Sequence, residues 1–119
     1  MQKNKIKLPL KPKEARAVKE FQESVFKKFG SQVLDMKLYG SKARGDSRRY
    51  SDIDIFVLLK NSDVKKKELI HNLAYNNFLK YYIDISPIVF SKKEYKYESG
   101  LPSIFMQIMS RDAIDINYL

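Results

Sequence analysis

The chain has 119 residues, 44% of them apolar and 13% aromatic, with no cysteine and the single histidine His71; this fits one domain around one core and excludes disulfides, thiolate metal sites and multi-histidine metal sites. A mean hydropathy of -0.46 and the lack of any apolar run near the ~20 residues that span a bilayer exclude a membrane class, and without an apolar leader segment the chain is expected in the cytoplasm. The net charge of +9 lies in residues 1–50, with 14 Lys+Arg against 5 Asp+Glu, while the remainder holds nine of each, a bias that suits a polyanionic ligand or an acidic partner surface.

In chain order, "MQKNKIKLPLK" (1–11) reads as an extended basic arm, and Pro12 suits the first turn of a helix. Val18, Phe21, Val25 and Phe29 then recur at helical spacing, with Gly30 placed as a left-handed cap. "QVLDMKLYG" and "DIDIFVLLK" read as strands. The second is apolar on both faces from Ile53 to Leu59 and is expected at the centre of a sheet covered on both sides. "NSDVKKKELIHNLAYNNFLKYY" is expected to be a helix capped at Ser62 or Asp63, with Ile70, Leu73, Asn77 and Phe78 on one face and His71 beside it. "YIDISPIVFS" is a third strand. Ser91 and Glu94 have capping-box spacing for a short helix ending at Gly100, Pro102 is expected to start another through Met109, and "AIDINYL" closes as an edge strand. This order predicts an α/β (α+β) domain, a small mixed sheet backed by helices over 1–119.

The stretch "YGSKARGDSRRYSDIDIFVLL" (39–59) carries the chemistry. Side chains two apart on a strand share a face, so Asp52 and Asp54 project together. Carboxylates side by side repel and resist desolvation, and a divalent cation relieves both costs. Mg²⁺ prefers carboxylate oxygen and completes its shell with water and substrate phosphate. Asp84, flanked by apolar residues in "YYIDISPIVF", completes a carboxylate trio if its strand neighbours the first. Two metal ions could then serve an in-line displacement at phosphorus. Upstream, Gly40 permits close backbone approach, Ser41 offers a hydroxyl and an N–H, and Lys42 and Arg44 add charge for phosphate oxygens. The structural alternative for Asp52 and Asp54 is a strand cap or an ion pair with Arg48 or Arg49.

Gly40-Ser41, a ten-residue gap, Asp52-x-Asp54 and the later Asp84 resemble the nucleotidyltransferase family of the DNA polymerase beta superfamily, and more narrowly its minimal nucleotidyltransferases. The resemblance implies that Gly40 and Ser41 bind the triphosphate of ATP and that Asp52, Asp54 and Asp84 are catalytic and ligate Mg²⁺; Lys42 and Arg44 are expected to add to the nucleotide site, and two ions are expected in all. Many relatives have Glu-Gly near the C-terminus, where this chain has Arg111-Asp112. Minimal members are commonly paired with a HEPN protein, which implies an antitoxin that moves AMP onto a tyrosine of a HEPN ribonuclease toxin. The length leaves no separate acceptor domain, so the acceptor surface is expected from a partner or a second copy of the chain. Alternatives are a small-molecule acceptor such as an antibiotic at a dimer interface, and a non-catalytic antitoxin acting by contact. Direct nucleic-acid binding is disfavoured, because aromatic residues do not interleave with the basic ones.

Overall fold

A computed structural model describes residues 8–45 and 51–116. Most of the basic arm, the alternative ion-pair partners Arg48 and Arg49, and the last three residues of "AIDINYL" lie outside them.

Pro12 opens α1 (Pro12–Phe29), and Glu14 accepts the Lys11 N–H at 2.9 Å. The helix buries Val18, Phe21, Val25 and Phe29, the stripe set by the spacing, together with Ala17 and Gln22. Gly30 ends it at φ +54 but ψ -126, a positive-φ turn and not the left-handed helical cap, and leads into a 3-10 turn over Gly30–Gln32. A one-turn helix α2 (Ser41–Arg44) follows β1 (Val33–Tyr39). Beyond β2 (Ile53–Leu59), α3 (Val64–Tyr81) crosses to β3 (Ile85–Ser91). Asp63, not Ser62, caps α3, accepting the Lys66 N–H at 2.8 Å. Ser91 and Glu94 cap α4 (Lys92–Ser99) reciprocally, as their spacing predicts. The last helix, α5 (Ile104–Asp112), starts later and runs further than the span expected from Pro102 to Met109. Ser103 takes the capping role by accepting the Met106 N–H, which leaves Pro102 in the approach to the helix.

The four strands lie in the order β3-β2-β1-β4, where β4 is the two-residue edge Ile114–Asp115. The pairs β1-β2 and β1-β4 are antiparallel, and β2-β3 is parallel. Alternation along β2 explains why both of its faces are covered. Ile53, Ile55, Val57 and Leu59 enter a core with Val18, Phe21 and Val25 of α1 and Ile70 and Ala74 of α3. Phe56 faces the other way into an aromatic cluster, 5.9 Å from Phe90, 5.4 Å from Tyr95 and 6.2 Å from Phe105 between ring centroids. Two buried amides fasten the core layer: Asn77 donates to the Ala17 carbonyl of α1 at 2.9 Å, and Gln22 to the Ile116 carbonyl beside the sheet edge. Among the described residues, no helix is long and apolar enough to cross a membrane.

Candidate active site

The sheet register brings the motif residues to one end of the strands. Tyr39, the last residue of β1, pairs with Asp54, the second residue of β2. Ile53 pairs with Ile85 and donates its N–H to the Asp84 carbonyl at 2.9 Å. The residues just before the parallel strands, Asp52 and Asp84, therefore run side by side along the backbone.

Asp54 shares its face of β2 with Phe56, on the α5 side, where the ring of its neighbour Tyr39 meets Phe105 edge-on at 5.6 Å. It is half-buried, whereas Asp52 is exposed. Burial first, and the Asp52 charge second, push the Asp54 carboxyl above its ordinary range. Burial and then Asp54 push the Tyr39 hydroxyl up to about 12, so this phenol stays neutral. Asp52 and Asp54 are thus held close, and among the described residues no cation is paired with either.

Gly40 sits against this pair at φ +77, and a Cβ built on it would lie 2.6 Å from Asp54 Oδ2. Both facts require glycine: the backbone angle strains any L side chain, and the carboxylate already fills the space. Ser41 then opens α2, which closes at Gly45 with φ +78 in the left-handed region. The Arg44 and Gly45 N–H groups return to the Gly40 and Ser41 carbonyls at 3.1 and 3.0 Å, so the Gly-Ser turn is locked by its own backbone.

Two of the expected phosphate ligands have structural partners that the motif did not announce. Lys42 is 4% exposed, and its Nζ donates to Glu14 Oε2 at 2.5 Å. Burial works to raise the Glu14 carboxyl, but the hydrogen bonds from Lys42 and the Lys11 N–H and the charges of both lysines hold it below its ordinary value. The buried pair ties the Gly-Ser turn to the start of α1. Arg44 remains partly exposed and is braced by Asp112, which accepts from its Nη1 at 2.7 Å and from Arg111 Nε at 2.9 Å. Asp112, which stands where Glu-Gly was expected, is therefore a buried carboxylate that holds the arginine at the end of α2. Asp84 is exposed at the mouth of β3, between cavities of about 290 and 560 Å³ that both include Phe78. His71, on α3, is exposed as expected.

Among the described residues, no three His, Cys, Asp or Glu side chains stand gathered as a formed metal cluster. Asp52 and Asp54 are coupled through their charges, whereas Asp84 meets β2 through its backbone carbonyl, which accepts the Ile53 N–H, so the expected carboxylate trio is not gathered in this structure. A hard divalent cation fits this all-oxygen donor set, because it would offset the repulsion and burial that work against an ionised Asp54. Glu14, Tyr39 and Asp112 are the site residues that sequence reasoning missed. Only Asp112 left a signal, as the place where the chain departs from its relatives' pattern.

The model of the family described as "Nucleotidyltransferase domain" matches residues 18–111. The chain belongs to this family. A Methanocaldococcus jannaschii protein named "putative protein adenylyltransferase" is 30% identical over 109 residues, covering 84% of this chain and 74% of its own. A crystal structure from Sulfolobus solfataricus, named a nucleotidyltransferase with the same qualifier, has a TM-score of 0.54 at 23% identity and covers 84% of this chain and 76% of its own. A toxin–antitoxin structure with AMP-PNP has a TM-score of 0.55 at 18% identity and covers 80% of this chain and 68% of its own. The small mixed sheet backed by helices is the fold that these structural neighbours share.

Proposed function

We propose that this nucleotidyltransferase moves AMP from ATP to a tyrosine hydroxyl of a HEPN-type ribonuclease in the cytoplasm and thereby silences it as an antitoxin. The observation that carries the reading is Asp54, charge-coupled to Asp52 and packed against Gly40, where even a Cβ would strike its carboxylate. The name of the Methanocaldococcus relative supports a protein acceptor, and the toxin–antitoxin neighbour with AMP-PNP supports the nucleotide and the partner class.

In this reading Gly40 lets the triphosphate approach the backbone, and Ser41 supplies hydroxyl and N–H donors. Arg44, held by Asp112, adds a guanidinium charge for phosphate oxygens. Lys42 acts from behind by fixing the turn through Glu14. Asp52, Asp54 and Asp84 would hold Mg²⁺, in one or two ions, whose charge would stabilise the phosphoryl group under attack. Asp84, exposed on the acceptor side, receives the proton of the incoming hydroxyl. The Tyr–Pα bond forms as the Pα–O bond to pyrophosphate breaks, and the chain's contribution is positioning and electrostatics.

The test is to incubate the protein with labelled ATP, Mg²⁺ and the protein encoded beside it, expected to be of the HEPN class. Label on a partner tyrosine and loss of ribonuclease activity are expected. Undiminished silencing by an Asp52→Asn, Asp54→Asn double variant would instead establish inhibition by contact alone, and label on a small molecule but not on protein would move the acceptor class.

A further inference from the structure

The last residue of the α3 turn is held against its own preference. Tyr82 adopts φ +53 and ψ +30, the left-handed region, and is the one non-glycine residue with positive φ among those described. Glycine or asparagine would take this position with less strain, and a bulky residue kept there points to a use for its side chain. The strain places a phenol two residues before Asp84. Tyr82 is 78% exposed, meets Phe78 edge-on at 5.9 Å, and shares with Lys11, Lys13, Phe78 and Asp84 the walls of the 560 Å³ cavity.

We propose that Tyr82 is itself an acceptor, so that in the absence of a partner the enzyme transfers AMP from ATP to the Tyr82 hydroxyl of the same chain. The inference rests on the tyrosine-directed transfer proposed above. The Tyr82 Oη–Pα bond forms, the Pα–O bond to the β-phosphate breaks with release of pyrophosphate, and the phenolic proton passes to Asp84 and then to water. The attached phosphate lies beside Lys11 and Lys13, and the base has Phe78 to pack on. Other described tyrosines are less suited. Tyr81 donates its hydroxyl to Glu20, Tyr39 is half-buried beside Asp54, and Tyr97, on α4, lines neither of the two cavities that include Asp84. Tyr75, also exposed, lines the smaller cavity next to Asp84 and is the internal competitor.

The experiment is intact-mass measurement of the purified chain after incubation with ATP and Mg²⁺, followed by peptide mapping. Wild type is expected to gain one AMP on the peptide carrying Tyr82, at a fractional rate unchanged over a tenfold range of protein concentration. Tyr82→Phe should gain none while keeping its melting temperature and its affinity for ATP. Tyr75→Phe and Tyr97→Phe should label as wild type does. A wild type that labels the HEPN partner but not itself overturns the inference and leaves the proposed function standing. Label mapped to Tyr75, label retained by Tyr82→Phe, or a rate that scales with protein concentration also overturns it. Labelling of neither chain overturns both readings.

Discussion

Gly40 and Asp54 are in contact across the β1-β2 pair: the carboxylate Oδ2 lies 2.6 Å from where a Cβ on Gly40 would be, and the glycine holds φ +77. A methyl group there must strain the backbone by about 1–2 kcal/mol or displace the carboxylate. Gly40→Ala is therefore expected to lower the denaturation midpoint by an amount in that range and to reduce AMP transfer by at least ~10²-fold. Chemical denaturation and a transfer assay on the same preparation check this. Wild-type transfer by Gly40→Ala would show that the close approach is incidental.

Asp54 gives a pH-dependent prediction. Its folded carboxyl titrates above the ordinary value of 3.8, so the native chain holds a proton that the unfolded chain has already released. Stability is consequently lost as pH rises through the folded value. Asp54→Asn, measured in a chelator, should melt higher than wild type near neutral pH, and the advantage should vanish below pH 3.8. Excess Mg²⁺ should raise the wild-type melting temperature and leave the variant unmoved, while transfer by the variant falls at least ~10²-fold. A variant that melts lower than wild type at pH 7 in chelator would refute the repulsive pair.

The buried ion pair under the Gly-Ser turn predicts the opposite sign. Glu14→Gln leaves the Lys42 ammonium buried without its counter-charge, which should cost about 3 kcal/mol, and Lys42→Met in the same chain should restore much of it. Because Glu14 is held below its ordinary 4.5, its contribution is fully present above that value and is lost as pH falls through the folded value. The gap between wild type and Glu14→Gln should accordingly close in acid. Urea titrations at several pH values measure it.

In the proposed function Asp112 acts on the nucleotide through Arg44. Asp112→Asn keeps the size but weakens a charge-assisted bond, so KM for ATP should rise roughly tenfold with kcat little changed. Arg44→Lys should show the same pattern, since an ammonium cannot fork between carboxylate and phosphate. A fall confined to kcat would place Asp112 elsewhere in the mechanism.

Much of the scaffold could be read from local pattern. Val18, Phe21, Val25 and Phe29 declare a buried helix stripe through spacing alone, and the two-faced apolar run Ile53–Leu59 declares a central strand. Helix starts were less legible. Ser103 displaced Pro102 as the start of α5 because a side-chain acceptor for the Met106 N–H satisfies a donor that proline's ring cannot. The Gly-Ser and Asp-x-Asp pairs were visible because each lies within a few residues on one element.

The sequence by itself determined which elements form and that Asp52 and Asp54 share a strand face, since periodicity and side-chain alternation are properties of neighbouring residues. Tertiary structure decided what those residues meet. Lys42 finds Glu14 across 28 positions and Arg44 finds Asp112 across 68, so one expected phosphate ligand became a buried brace and the other gained a carboxylate that aims it. Such pairings depend on how helices close over the sheet and on which charges are desolvated together, and neither leaves a mark in local spacing.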